Sequence, residues 1–123
     1  MVIDSATELE EVRPLTRLFR ALGDETRLRI IALLSHGELC VCHVETALGL
    51  SQPNCSRQLG ILKASGVVDS RREGTWVYYR ITDQDTVAVE AVLELLAKTF
   101  GAERALRADL ARLKKNCGPD ACK

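Results

Sequence analysis

Gly49-Leu50-Ser51-Gln52-Pro53-Asn54-Cys55-Ser56-Arg57-Gln58-Leu59-Gly60-Ile61-Leu62 is the stretch whose reading decides the fold. Ser51 is a helix N-cap candidate, and Pro53 falls in the first turn, where a missing N–H does little harm. The helix that follows divides by face. Ser51, Gln52, Asn54, Ser56, Arg57 and Gln58 crowd its start, while Leu59 and Leu62 lie at helical spacing on the other side. A polar leading end with an apolar anchoring face is what a DNA-recognition helix needs. Asn and Gln suit adenine, Arg suits guanine or phosphate, and Ser suits phosphate.

Outward from this helix, a short helix is expected from about Val41 to Leu48, stopped by Gly49. The recognition helix is expected to run to about Ser65 and end at Gly66. The pattern then changes period. Val67 to Arg72, the Glu73-Gly74 turn, and Thr75-Trp76-Val77-Tyr78-Tyr79-Arg80-Ile81 read as a β-hairpin rich in β-branched and aromatic residues. Two short helices followed by a basic hairpin make a winged helix-turn-helix pattern, mainly α with a β-hairpin wing. Trp76, Tyr78 and Tyr79 are expected to pack the hairpin rather than touch bases.

The flanks read as helices. Leu9, Val12, Leu15, Leu18, Phe19 and Leu22 recur at helical spacing, with Pro14 in an early turn and Gly23 as the stop. Asp24 caps a second helix carrying Leu28, Ile31 and Leu34, closed by His36-Gly37. From Asp83 onward the pattern is helical again through Val89, Val92, Leu93, Leu96 and Phe100. Gly101 breaks or bends it, and Ala105, Leu106, Leu110 and Leu113 carry it to about Lys115. The expected organisation is one DNA-binding and dimerisation domain over 1–116 and a flexible cysteine-containing tail over 117–123. Leu9, Val12, Phe19, Val92, Leu96 and Phe100 exceed what so small a core needs, which suggests a helical dimer interface.

The 123 residues hold 17 basic and 17 acidic side chains, so the net charge is zero. That excludes a polycation-driven binder but not a DNA reader, because the charges are segregated. Between Ser51 and Ile81 stand Arg57, Lys63, Arg71, Arg72 and Arg80 against Asp69 and Glu73, a window of +3. The first twelve residues carry Asp4, Glu8, Glu10 and Glu11 with no base, a window of −4. Arg71 and Arg72, near the hairpin tip, are placed to grip phosphate or enter a minor groove. Arg27 and Arg29 are expected to hold the second helix by ion pairs.

Five cysteines exclude a fully paired set of intrachain disulfides. The N-terminal residues lack the basic start and apolar run of a secretory signal, and no stretch is long and apolar enough for a membrane span. A cytoplasmic location with reduced thiols is therefore expected. Cys40-Val41-Cys42 stands at the entrance of the first helix of the reading head. On a regular helix, residues two apart point roughly 200° apart. Both thiolates reach one ion only if the backbone there departs from helix, so ligand binding competes with the helix-turn-helix geometry. Thiolates select soft ions such as Zn(II), Cd(II), Pb(II) and trivalent arsenic or antimony. No organic cofactor is expected. No C-x-x-C in a βαβ setting, Ser/His/Asp set or carboxylate pair points to an enzyme.

Four motifs in order carry a family resemblance. Leu22 to Ile30, Glu38-Leu39-Cys40-Val41-Cys42-His43-Val44, Ser51 to Leu59, and Arg71 to Arg80 resemble the second helix, metal-binding box, recognition helix and wing of the ArsR/SmtB repressors. The resemblance implies a homodimer built through first and last helices that holds operator double-stranded DNA until metal or metalloid binding releases it. In the arsenic-sensing pattern C-x-C-x-x-C a third cysteine would stand at position 45, where this chain has Glu45. Trivalent arsenic favours three thiolates, so the expected ligands are Cys40 and Cys42 with help from Cys117 or Cys122. Cys55, among the DNA-reading residues, is expected to fill space. The zinc-type site of the family needs histidines, and the helix after Asp83 offers Asp83, Asp85, Glu90 and Glu94 without one. His36 is expected to be a helix-end residue and His43 a polar surface residue. Cadmium- and lead-sensing members add N-terminal cysteines, which are absent here. As(III), with Sb(III) as a second candidate, is therefore favoured as effector. A Cd-, Pb- or Zn-responsive repressor and a thiol redox-sensing repressor are the alternatives. The expected DNA contacts are Ser51, Gln52, Asn54, Ser56, Arg57, Arg71 and Arg72. Distortion at Cys40 and Cys42 would spoil the roughly 34 Å spacing of two recognition helices on matched half-sites.

Overall fold

A computed structural model describes residues 5–84 and 86–116. In chain order the elements are α1 (Ser5–Leu22), α2 (Glu25–Leu34), β1 (Leu39–Cys40), α3 (Val41–Leu48), α4 (Gln52–Ala64), β2 (Val68–Glu73), β3 (Trp76–Ile81), α5 (Val87–Phe100) and α6 (Arg104–Asn116). The winged helix-turn-helix is present, with α3 and α4 as its two helices and β2–β3 as its wing.

Local chemistry sets the boundaries. The Asp24 carboxylate accepts from the Arg27 N–H at 3.0 Å and starts α2. Ser51 does the same for α4, its hydroxyl accepting from the Asn54 N–H at 3.4 Å. Gly49, at φ 66°, ends α3 in the left-handed conformation that turns the chain into α4. Gly74, at φ 62°, opens the two-residue turn between Glu73 and Trp76.

Two expectations need correction, and one open alternative is decided. Pro14 does not sit in an early turn; α1 begins at Ser5, which puts Pro14 in the helix interior. The last helical region begins at Val87, not Asp83. Residues 82–84 are held instead against the end of the hairpin. The Thr82 hydroxyl donates to the Gly66 carbonyl at 2.7 Å, and the Gln84 side-chain amide donates to the Thr82 carbonyl at 2.8 Å. Gly101 breaks the helix rather than bending it, since α6 restarts at Arg104.

The hairpin gains a third strand. β1 pairs antiparallel with β3, giving the order β1-β3-β2, with Leu39 opposite Tyr79 and Cys40 opposite Tyr78. Two residues are too few to show a strand period in sequence, and the pairing is non-local. The core gathers Leu18, Ile30, Ile31, Leu33, Val44, Leu59, Leu62 and Val68 around α2. Phe100 belongs to it, so that residue serves the monomer core rather than the proposed interface. Leu9 (56% exposed), Val12 (51%) and Phe19 (57%) remain outside it.

Candidate functional site

The Cys40 and Cys42 pair stands where sheet passes into helix. Cys40 is the last residue of β1 and the N-cap of α3, with extended backbone at φ −68° and ψ 145°. Cys42 lies in the first turn of α3. The departure from helix at Cys40 cancels the opposed directions that a regular helix would impose, and the two sulfurs lie 3.2 Å apart. That separation is far beyond the roughly 2.05 Å of a disulfide between them. Cys40 is a free, buried thiol. Among the described residues no group of three or more His, Cys, Asp and Glu is gathered as a metal site. Cys117 and Cys122, with the expected tail, lie outside the described residues.

The pair lines one wall of a cleft of about 650 Å³. Gln52, Ser56 and Lys63 of α4 and Ser70, Arg71, Arg72 and Trp76 of the wing line it as well. Thus the candidate sensor shares one recess with the candidate DNA contacts Gln52, Ser56, Arg71 and Arg72, while Ser51, Asn54 and Arg57 lie outside its lining. Ser51, Gln52, Ser56 and Arg57 are exposed, and Asn54 is half-buried. The Asn54 side-chain oxygen accepts from Arg57 at 2.8 Å, so the two act as a unit. Gln58 differs from its neighbours: it is buried, and its oxygen accepts from Arg27 at 3.0 Å. It fastens α4 to α2 instead of facing outward.

Arg71 and Arg72 are not equivalent. Arg72 is exposed and has no carboxylate partner among the described residues. Arg71 grips Glu38 through Nε and Nη2, at 3.0 Å to Oε2 and 2.6 Å to Oε1, and reaches Glu73 at 3.0 Å through Nη1. Its guanidinium carbon lies 4.5 Å from the centre of the Tyr78 ring. The Arg71 hydrogen bond holds the Glu38 carboxyl below its ordinary value. Sequence reading left Glu38 without a role; the strand that carries it to the wing was itself not legible.

Behind the cleft, α3 is tied to α6. Asp109, only 1% exposed, accepts from Arg29 at 2.9 and 2.8 Å and pairs with Arg112. Arg112 also donates to the Ala47 carbonyl at 2.8 Å, and Arg29 reaches the Leu48 carbonyl at 3.5 Å. Two cations thereby serve carbonyls that the last turn of α3 leaves open. Arg29 is an ion-pairing residue as expected. Arg27 holds its place by hydrogen bonds to the Ala21 carbonyl at 2.6 Å and to Gln58 rather than by an ion pair.

Cys55 is wholly buried, and burial, reinforced by the Glu45 charge, pushes its thiol pKa up to about 12. It fills space, as expected. His36 is exposed just past α2. His43 is half-buried rather than a surface residue, and burial lowers its pKa. Trp76 is exposed on the wing.

Residues 24–70 match the model of the bacterial regulatory protein, arsR family. Over 100 residues the chain is 43% identical to the arsenic resistance transcriptional regulator ArsR2 of Pseudomonas putida, covering 80% of this chain and 84% of that one. The chain belongs to the ArsR family. A second relative, the arsenical resistance operon repressor of Escherichia coli, is 54% identical over 67 residues, which span 54% of this chain and 57% of the relative. The match therefore takes in somewhat over half of that repressor's length. Among solved structures, a homodimeric winged helix-turn-helix DNA-binding domain from Mycobacterium bovis, described as a possible ArsR-family transcriptional regulator, superposes with TM-score 0.61 at 35% identity. It covers 80% of this chain and 89% of that domain. The ArsR family is one of regulators, and all three proteins are described as such, not as enzymes.

Proposed function

We propose that this ArsR-family chain is a metalloid-responsive transcriptional repressor of the cytoplasm. It binds operator double-stranded DNA as a homodimer and is released by trivalent arsenic, or antimony, at cysteine thiolates. The observation that carries the reading is the pair of sulfurs 3.2 Å apart at the N-cap of α3, in the same cleft as the recognition helix and the wing. Such a donor set fits a thiophilic ion. Cys40 and Cys42 would hold it, with Cys117 or Cys122 as the third thiolate, since no third ligand stands among the described residues. The effector supplies strong bonds to sulfur. This chain's residues supply the consequence: Cys40 is the hinge of strand and helix, so any adjustment of its backbone is felt at the start of α3.

In the DNA complex, Gln52, Asn54, Ser56 and Arg57 would face base edges and phosphates, with Ser51 at the N-cap and Arg71 and Arg72 on the wing. The relatives named for arsenic resistance support the arsenic reading. Among the described residues, no helix is long and apolar enough to cross a membrane.

The test is a gel-shift titration of the reduced protein on the promoter of its own gene. Cys40→Ser and Cys42→Ser variants should bind the DNA and stay bound in arsenite that frees the wild type. Normal release in both variants overturns the reading. Release of wild type by peroxide without metalloid would favour the redox alternative, and release by cadmium, lead or zinc alone the other metal readings.

A further inference from the structure

Glu38 is two residues before Cys40, and its carboxylate is the main partner of Arg71 across 33 positions of sequence. The sheet register adds a second connection between the same two places. Cys40 stands opposite Tyr78, and Tyr78 stands opposite Arg71, so the three form one row across β1, β3 and β2. Arg71 then stacks its guanidinium on Tyr78 within that row. The result is a closed circuit: Cys40 through the chain to Glu38, through the ion pair to Arg71, and back through the ladder to Cys40. A two-residue strand with one ladder neighbour has little to hold it in register. The fork on Arg71 supplies the missing fastening, with paired N–H···O bonds that fix orientation as well as distance.

We propose that Glu38 is a positioning residue that ties the thiol segment to the wing, so that a change at Cys40 is transmitted to Arg71 and the DNA-facing hairpin as well as to α3. The inference deepens the effector reading above and rests on it. An exposed ion pair contributes little to stability; its use here lies in which two parts it joins. Without Glu38, Cys40 would still pass its movement to α3, but its link to the wing would rest on the two-residue ladder with β3 alone. The two carboxylates also hold Arg71 against the protein, whereas Arg72 has no carboxylate partner among the described residues.

The experiment measures affinity for the same promoter duplex with and without arsenite, by fluorescence anisotropy on the full reduced chain. The ratio of the two dissociation constants is the coupling, typically 5–150-fold in regulated systems. Arsenite uptake is followed independently by thiolate–arsenic absorbance. Glu38→Gln is expected to take up arsenite as the wild type does while its ratio falls at least about threefold. Hydrogen exchange of the amides from Arg71 to Tyr78, in protein without effector, is expected to speed up in Glu38→Gln. In the exchanged pair Glu38→Arg with Arg71→Glu, protection should return. An unchanged ratio with full uptake overturns the proposal, and so does an exchanged pair no better protected than Glu38→Gln. A wild type that takes up no arsenite, or stays on DNA when loaded, fails the effector reading instead. Exchange then judges the tie alone, and unchanged protection in Glu38→Gln overturns it.

Discussion

Cysteine is used in two opposite ways within sixteen positions of this chain. At Cys55 the thiol is sealed under the recognition helix and its pKa is pushed up to about 12. The thiolate is the reactive form, so this sulfur is inert near neutrality. Iodoacetamide at pH 8 should leave Cys55 unmodified in the native protein and label it after denaturation, as read by peptide mass spectrometry. Labelling of native Cys55 at the rate of an exposed thiol would contradict its burial. The sign of the pH effect follows. In the unfolded chain the thiol ionises near 8.5, and in the folded chain near 12. Its neutral burial therefore costs nothing below about pH 8.5, and stability declines as pH rises from there towards 12. At Cys40, by contrast, one extended residue ahead of a helix turns a side chain that a helix would point away. Its sulfur meets that of Cys42, which no count of cysteines could show. Among the polar residues at the start of α4, helical periodicity separated Leu59 and Leu62 correctly but left Gln58 with the outward set. Its partner, Arg27, is 31 residues away in sequence, and only the packing of α4 on α2 draws it inward.

The elements themselves were largely legible, because each is punctuated by its own chemistry. Gly49 and Ser51 mark the turn between α3 and α4, and Gly74 the hairpin. What failed were features without a local signature: β1, with two residues, and the start of α5, where Thr82 and Gln84 bind the hairpin end instead of continuing a helix. The packing of α3 on α6 is of the same kind. Asp109 looks in sequence like one more charge on a polar helix, yet it is the shared partner of Arg29 and Arg112. Replacing it by Asn would leave two guanidinium groups without their counter-charge, at a cost of about 2–3 kcal/mol because both are partly exposed. Urea denaturation of Asp109→Asn should show that loss as a lower midpoint. A change below about 0.5 kcal/mol, the scale of an ordinary surface substitution, would mean that the network does not hold α3.

At the scale of the molecule, the first helix presents Leu9, Val12 and Phe19 outside the core, and α5 presents Val87 and Leu95. Exposed large apolar residues at helical spacing are expected to be covered by a second copy. Phe19→Asp should therefore preserve the thermal transition of the fold while raising the dimer dissociation constant by at least about tenfold, the effect of losing one well-packed apolar anchor. Sedimentation equilibrium measures this, and an unchanged constant would remove α1 from the interface. By itself the sequence determined the helix-turn-helix with its wing, the segregation of basic from acidic charge, and the thiol pair as a sensing candidate. Those depend on periods, caps and turns, which act over a few residues. The tertiary structure decided that the sulfurs meet and that Arg71 is held while Arg72 is not. It also decided that Asp109 is buried and that Leu39 and Cys40 belong to the sheet of the wing. Each of these is a contact between side chains or strands far apart in sequence. Such contacts are chosen by packing and charge pairing in three dimensions, and no local pattern records them.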